Sequence, residues 1–118
     1  MKPPKEKRNL DRIIFSNLYG EIELKGLRKE VSIVNASEDG LCVTGIEIPI
    51  GTVVRLDIEP QPENQPISLY CRAVWSSTEE PRHIKTGLYL LHTNKILFKQ
   101  DLASFSKLVA ETRKYSQV

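Results

Sequence analysis

Apolar and polar residues alternate over most of the sequence between residues 21 and 90, and this alternation restricts the possible folds more than any other feature. A period of two is typical of strands that bury one face and expose the other. Residues that favour turns interrupt the alternation at short intervals. We therefore predict about six short antiparallel strands, with the proline-rich stretch 60–66 as a hairpin loop. The alternating apolar positions are Ile22, Leu24, Val31, Ile33, Val54, Leu56, Ile58, Ile67, Leu69, Cys71, Ala73, Trp75, Leu88 and Leu90.

The length of the chain and a change of period near its end complete the predicted fold. At 118 residues, the chain is long enough for one compact domain and too short for two. Short strands joined by hairpins favour a small barrel, because closing the sheet removes unpaired edges that would aggregate. Over 97–118 the apolar residues recur at intervals of three and four, which predicts an amphipathic helix. Such a helix more often covers a barrel than binds a membrane or a partner. The fold class is thus all-β with a terminal helix, organised as an arm (1–12), a β-barrel (13–96) and a helix (97–118).

The positive charge of the chain is concentrated in the N-terminal arm. Residues 1–12 contain five basic and two acidic residues and so carry a net charge of +3, whereas the whole chain carries +2. Pro3 and Pro4 disfavour a helix, and the arm has few apolar residues to bury. We expect the arm to be mobile until it meets an anion, although a charged terminus that only improves solubility has the same composition.

The remaining composition excludes several classes of protein. Cys42 and Cys71 are isolated within strand-like segments, which predicts buried reduced thiols rather than a disulfide or a metal site. His83 and His92 lack the spacing of metal ligands. We find no nucleophile beside a base, no paired carboxylates and no glycine-rich phosphate loop, so we predict that the protein is not an enzyme. No apolar run is long enough to cross a bilayer and no signal-peptide core follows the first residues, which predicts a cytoplasmic protein.

Two arginines in the arm form the first candidate binding motif. Arg8 and Arg12 are four residues apart, so their side chains fall on the same side of the backbone whether it is extended or helical. A planar guanidinium can pair with a phosphate, donate two hydrogen bonds to the O6/N7 edge of guanine, or stack on a base. Taken alone, two arginines at this spacing also fit a solvated basic tail.

A polar turn between two strand-like segments forms the second motif, Asn35-Ala36-Ser37-Glu38-Asp39-Gly40. Asn35 can cap its own turn, Ser37 offers a hydroxyl, and Gly40 permits either a positive φ or a close backbone approach. Such a turn projects polar groups in a fixed cluster that complements a phosphate or a guanine edge. Asp39-Gly40 is also simply a favourable hairpin sequence, an interpretation that explains Gly40 well and Ser37 poorly.

The two motifs in this order, RxxxR and then NxSxxG, resemble the signature of the PilZ domain, whose members bind the bacterial second messenger cyclic di-GMP. The resemblance covers nearly the whole chain in order and implies a six-stranded antiparallel β-barrel with a C-terminal α-helix. It also implies cyclic di-GMP as the ligand, no further cofactor, and a protein target that belongs to motility or pilus machinery. The family's ligand positions correspond to Arg8, Arg12, Asn35, Ser37 and Gly40. The resemblance extends through Leu41-Cys42-Val43, residues 51–56, Ala73-Val74-Trp75 and residues 87–90.

Three positions depart from the commoner pattern of the family. Asn35 stands where many members have Asp, and Asp39 stands where many have a second glycine, so that we expect a carboxylate near a dianionic ligand to lower affinity. Lys7 precedes the first motif, at a position thought to tune the stoichiometry of binding.

Two further residues are candidates for binding the ligand. Trp75 could stack on a guanine, although the alternation places it on the face of the core, and Arg72 on the opposite face could reach a phosphate.

The resemblance favours a receptor or adaptor without catalysis. In this hypothesis the arm orders over the barrel when the ligand joins Arg8 and Arg12 to the Asn35 turn, and the ordered arm creates a surface for a protein target. One alternative is an interaction domain that has the PilZ fold but binds no ligand. Another is a small barrel that binds nucleic acid, although the slightly acidic barrel and its scattered aromatic residues do not favour it.

Overall fold

The structure is a computed structural model that describes residues 13–15, 17–59, 65–78 and 84–116, with side chains up to Thr112. Residues outside these ranges include Arg8 and Arg12 and the whole arm. Seven strands and two helices lie within the described part. They are β1 (Ile13–Ile14), β2 (Tyr19–Leu24), β3 (Leu27–Ala36), β4 (Gly40–Thr44), β5 (Val53–Ile58), β6 (Ile67–Ser77), β7 (Lys85–Leu90), α1 (Thr93–Leu97) and α2 (Lys99–Ser116).

Six of the strands form a closed antiparallel barrel. The strand order is β3, β2, β5, β6, β7 and β4, and pairing of β4 with β3 closes the sheet. The predicted six-stranded β-barrel with a C-terminal helix is therefore confirmed. The additional strand β1 pairs with the end of β3, where Ile13 is opposite Ala36 and Ile14 is opposite Asn35. This strand was not predicted, because two residues are too few to show a period.

Two hairpins follow directly from their sequences. Lys25 and Gly26 have φ values of 52° and 80°, and the strands on either side pair from Leu24 opposite Leu27 onward. Two successive positive φ values give the turn whose twist matches that of paired strands. Strands β5 and β6 are antiparallel neighbours, as expected if the stretch 60–66 is a hairpin loop; residues 60–64 lie outside the described part.

Inward-facing residues of the barrel form one core, as the alternation predicts. Ile22, Leu56 and Leu69 are completely buried. Cys71 belongs to this core, whereas Cys42, between the inward-facing Leu41 and Val43, is buried outside it. Neither cysteine forms a disulfide, so the prediction of buried reduced thiols is confirmed. Burial raises the pKa of Cys71 to about 12, so its thiol stays protonated at neutral pH.

Two β-bulges interrupt the alternation, one in β3 and one in β6. In β6 the register shifts between Ala73 and Trp75, so that Val74 is an extra residue relative to β7. A bulge reverses which face the following residues occupy. Trp75 therefore lies on the outer surface, where it is 38% exposed. The expectation that Trp75 shares the buried face of Ile67 and Ala73 is wrong for this reason.

Both helices pack against the part of β6 that extends beyond its pairing with β7. Asn94 of α1 accepts a hydrogen bond from Tyr70 N–H at 3.0 Å and donates to Tyr70 O at 2.8 Å, and Asp101 of α2 accepts one from Ser68 N–H at 3.0 Å. Phe105 of α2 is completely buried in the core. The helix predicted over 97–118 thus begins at Lys99, after a short helix that was not predicted. In the described ranges no helix is long and apolar enough to span a bilayer.

Candidate functional site

The second motif forms a tight connection between β3 and β4. Strand β3 ends at Ala36 and β4 begins at Gly40, and Ser37 N–H donates to Gly40 O at 2.8 Å. Within this turn, Ser37 is only 4% exposed and its hydroxyl donates to Asp39 Oδ1 at 2.8 Å. The carbonyl of Asp39 accepts Leu90 N–H at 2.9 Å. The turn is therefore fixed both internally and against β7.

Gly40 is required for a close approach between strands and not for a positive φ. Its φ is outside the positive range, unlike those of Gly26, Gly45 and Gly51. A Cβ atom at position 40 would lie 2.7 Å from Leu88 O, which is too close for any side chain. Of the two explanations that the sequence offers for this glycine, the structure supports the close approach.

Asn35 and Trp75 lie in one row across the outer surface of the barrel. Asn35 in β3 is opposite Cys42 in β4, and Cys42 is opposite Gly87 in β7. Gly87 in turn is opposite Trp75 in β6. Directly opposed residues in paired strands project from the same face. Both bulges lie in this row, because Val34 is the extra residue before Asn35 in β3. The row thus places two of the predicted ligand residues on the same face, separated by β4 and β7.

Gly87 makes room for the indole of Trp75. A Cβ atom at position 87 would overlap Nε1 and Cε2 of the indole, so the ring lies directly on the backbone of β7. Sequence reasoning included Gly87 only as part of the family resemblance and assigned it no role. A glycine within a strand pattern often marks such a close approach, and this signal could have identified it.

A second row lies beside the first and contains Arg72. Gly40 in β4 is opposite Tyr89 in β7, and Tyr89 is opposite Arg72 in β6. Arg72 in turn is opposite Val53 in β5. Tyr89 is 51% exposed and Val53 is 46% exposed. Arg72 is exposed, as the alternation predicts for the outer face. Tyr89 is an additional aromatic residue of this surface that the sequence analysis did not single out.

Arg28 and Arg55, the two other arginines in the described strands, are paired with carboxylates. Arg28 contacts Asp57 at 2.8 Å and Arg55 contacts Glu23 at 3.0 Å, while Ser68 donates to Asp57 at 2.6 Å. Partial burial disfavours the charged form of Asp57, but the hydrogen bonds from Ser68 and Arg28 outweigh it and hold the pKa of Asp57 below its usual value. The charges of these two guanidinium groups are therefore balanced by neighbouring carboxylates.

The first motif lies outside the described residues, and so does Lys7. The arm joins the described part at Ile13, which is paired with Ala36 and is 6% exposed. Ala36 immediately precedes Ser37. Because Arg12 is bonded directly to Ile13, the end of the arm is attached beside the turn.

Several solved structures are similar to this chain, among them the following three. The crystal structure of YcgR from Escherichia coli in complex with c-di-GMP has a TM-score of 0.65 and 12% identity, and the alignment covers 90% of this chain and 47% of that chain. The Bacillus subtilis inhibitor of motility, MotI/DgrA, has a TM-score of 0.66 and 14% identity, with 91% and 52% covered. The PilZ domain of E. coli YcgR with c-di-GMP has a TM-score of 0.62 and 11% identity, with 91% and 95% covered.

These similarities concern the fold, and the chain spans about half the length of the first two proteins. Comparison of the sequence with family models and with curated proteins gives no match. The PilZ domain of YcgR, in contrast, is covered almost completely. The closed barrel with its terminal helix is therefore a PilZ-like fold.

Proposed function

We propose that the protein is a cyclic di-GMP receptor or adaptor whose ligand site consists of Arg8, Arg12, Asn35, Ser37 and Gly40. The pairing of Ile13 with Ala36 is the observation that supports this most strongly. It joins the end of the RxxxR segment to the NxSxxG turn, so that one ligand can contact both. The similar structures of YcgR contain c-di-GMP, which is consistent with this choice of ligand.

The ligand matches the chemistry of the two motifs. Cyclic di-GMP carries two phosphate charges and two guanines, and each arginine can pair with a phosphate or donate to a guanine edge. Trp75 supplies an exposed aromatic face in the same row as Asn35, and stacking on a base contributes about 1–3 kcal/mol. Arg72 and Lys7 are further basic groups that would favour an anionic ligand.

Strand β1 offers a route by which ligand binding changes the rest of the protein. The arm is attached to β1, and β1 packs against α2. Ile13 belongs to the same buried cluster as Phe105 and Val109 of α2. When the arm closes on the ligand, it stabilises β1 and with it the docking of α2. The ordered arm and this helix then present a new surface to a protein target in the cytoplasm. MotI/DgrA is an inhibitor of motility, so a component of the motility machinery is a suitable candidate.

A second candidate function is a PilZ-like interaction domain that binds a protein without a ligand. The exposed apolar residues Val53, Val74 and Tyr89 beside Arg72 support it, since aromatic and arginine side chains are enriched at protein interfaces. Nucleic-acid binding has less support, because Arg28 and Arg55 on the barrel wall are paired with carboxylates. We propose no catalytic activity.

Calorimetric titration separates these candidates. We expect cyclic di-GMP to bind, and GTP to bind far more weakly because it cannot engage both motifs at once. A short single-stranded RNA should not compete at physiological salt. No heat with cyclic di-GMP at high micromolar concentration would reject the receptor and favour the interaction domain, whereas tight binding of RNA would favour the nucleic-acid alternative.

A further inference from the structure

The carboxylate of Asp39 is held by a side chain that is itself buried. Ser37 is 4% exposed, and its hydroxyl donates to Asp39 Oδ1 at 2.8 Å. A hydroxyl has one proton, so this bond uses the only side-chain donor of Ser37. Asp39 is exposed, and its own carbonyl is fixed by Leu90 N–H. The turn therefore presents to solvent a carboxylate whose orientation is set by a buried neighbour.

This arrangement selects hydrogen-bond donors. An ionised carboxylate only accepts hydrogen bonds, and Ser37 occupies only part of the capacity of Oδ1. The phosphates of a cyclic dinucleotide offer acceptors alone and are repelled by the carboxylate. The amino edge of guanine offers two adjacent donors, N1–H and N2–H₂, which match the two carboxylate oxygens in the same way as a guanidinium does. A ribose hydroxyl offers only one donor.

We propose that Asp39 is a ligand-binding residue that accepts hydrogen bonds from the amino edge of a guanine, and that Ser37 is the positioning residue for its carboxylate. This inference rests on the proposed function. In this inference Asp39 raises the affinity for cyclic di-GMP, whereas a carboxylate that faced the phosphates would lower it. Asp39 then determines selectivity for guanine over purines that lack the 2-amino group.

A comparison of cyclic di-GMP with cyclic di-IMP, which lacks the 2-amino groups, tests the proposal by calorimetry on the full chain. We expect the wild-type protein to prefer cyclic di-GMP by roughly ten- to a hundredfold, the range for a hydrogen bond to a charged group. Asp39→Asn should abolish most of this preference, because an amide offers only one acceptor atom. The ratio is informative since both ligands carry the same phosphates, so that a general change in charge or stability affects both affinities equally.

Glu38→Gln is the matched control. Glu38 is an exposed carboxylate in the same turn, and its substitution removes the same charge. It should leave the ratio of affinities unchanged. Ser37→Ala should lower the ratio partly, and it should have no further effect on the ratio in the Asp39→Asn background, because the two residues act as a unit.

The outcomes for the inference and for the proposed function are distinguishable. If the wild-type protein binds cyclic di-GMP and Asp39→Asn retains the wild-type ratio, Asp39 does not bind the guanine edge and the inference is overturned, while the receptor function stands. A loss of affinity that is equal for both ligands also overturns the inference, because the carboxylate would then act by holding the turn or by pairing with an arginine. If the wild-type protein binds neither ligand, both proposals fail.

Discussion

The indole of Trp75 lies directly on Gly87, its pairing partner in the neighbouring strand. The contact depends on two features that act together. The bulge at Val74 turns Trp75 to the outer surface, and the absence of a Cβ atom at position 87 lets the ring approach the backbone. As a result, an aromatic face is fixed in the same row as Asn35 without contributing to the core.

Replacement of Gly87 by Ala should displace the indole. The added methyl group would overlap the ring, and overpacking of this kind costs about 1–3 kcal/mol of stability. We expect a lower melting temperature together with a shift of tryptophan fluorescence.

The control for this prediction is the same substitution in a Trp75→Ala background. There the cost of Gly87→Ala should largely disappear, because the overlapping group is gone. An equal loss of stability in the two backgrounds would show that the close approach of Trp75 does not restrict which side chain position 87 can hold.

Substitution of either arginine of the first motif should weaken the binding of cyclic di-GMP and leave the fold intact. A hydrogen bond to a charged group contributes about 1.5–3 kcal/mol, so Arg8→Ala and Arg12→Ala should each lower the affinity for cyclic di-GMP by roughly ten- to a hundredfold. Melting temperatures should remain close to that of the wild-type protein. Lys2→Ala removes the same charge from the arm and serves as the control. Unfolding caused by either arginine substitution would mean that the arm is structural.

The ion pairs around Asp57 predict a dependence of stability on pH. Because its pKa is lowered in the folded protein, Asp57 contributes stability above the pKa of the unfolded chain and loses it as the pH falls through the lowered value. Asp57→Asn should therefore reduce the melting temperature at pH 7, and the difference from the wild-type protein should shrink in acid. Glu47→Gln, an exposed carboxylate outside these ion pairs, controls for the change of charge. A difference that is constant from pH 7 to pH 3 would contradict this account.

Ile13 should couple the ligand to the C-terminal helix. Hydrogen exchange of the α2 amides around Phe105 and Val109 should slow when cyclic di-GMP binds, since β1 packs directly against α2. Ile13→Ala should reduce this protection. Ile58→Ala removes the same side-chain atoms from β5, which forms no major contact with α2, and should preserve the protection. Identical exchange of α2 with and without bound ligand would contradict the coupling.

The sequence predicted the barrel and its helix because burial on one face imposes a repeating period. It also identified the turn, since glycine and polar residues between strands have few other uses. The position of Trp75 could not be predicted, because a single extra residue at Val74 reverses the alternation and leaves no mark in the composition. The contact between Ser37 and Asp39 was equally inaccessible, since it depends on side-chain orientation within the turn.

The bonds that attach the helices to the barrel were also beyond prediction. Asn94 and Asp101 complete the hydrogen bonding of β6 at an edge that β7 leaves unpaired. Neither residue has a recognisable pattern in the sequence, because the partners are backbone groups far away in the chain. Such contacts between distant segments appear only once the topology is known.

The most direct test of the central claim is a titration of the isotope-labelled protein with cyclic di-GMP, followed through backbone amide and indole N–H chemical shifts. If one ligand joins the arm to the turn, the largest changes should occur in residues 8–12 and 35–40 and at the indole of Trp75. Amides near the Arg28 and Asp57 ion pairs should change little. An absence of changes at high micromolar ligand, or changes confined to the β2–β5 face, would contradict the account.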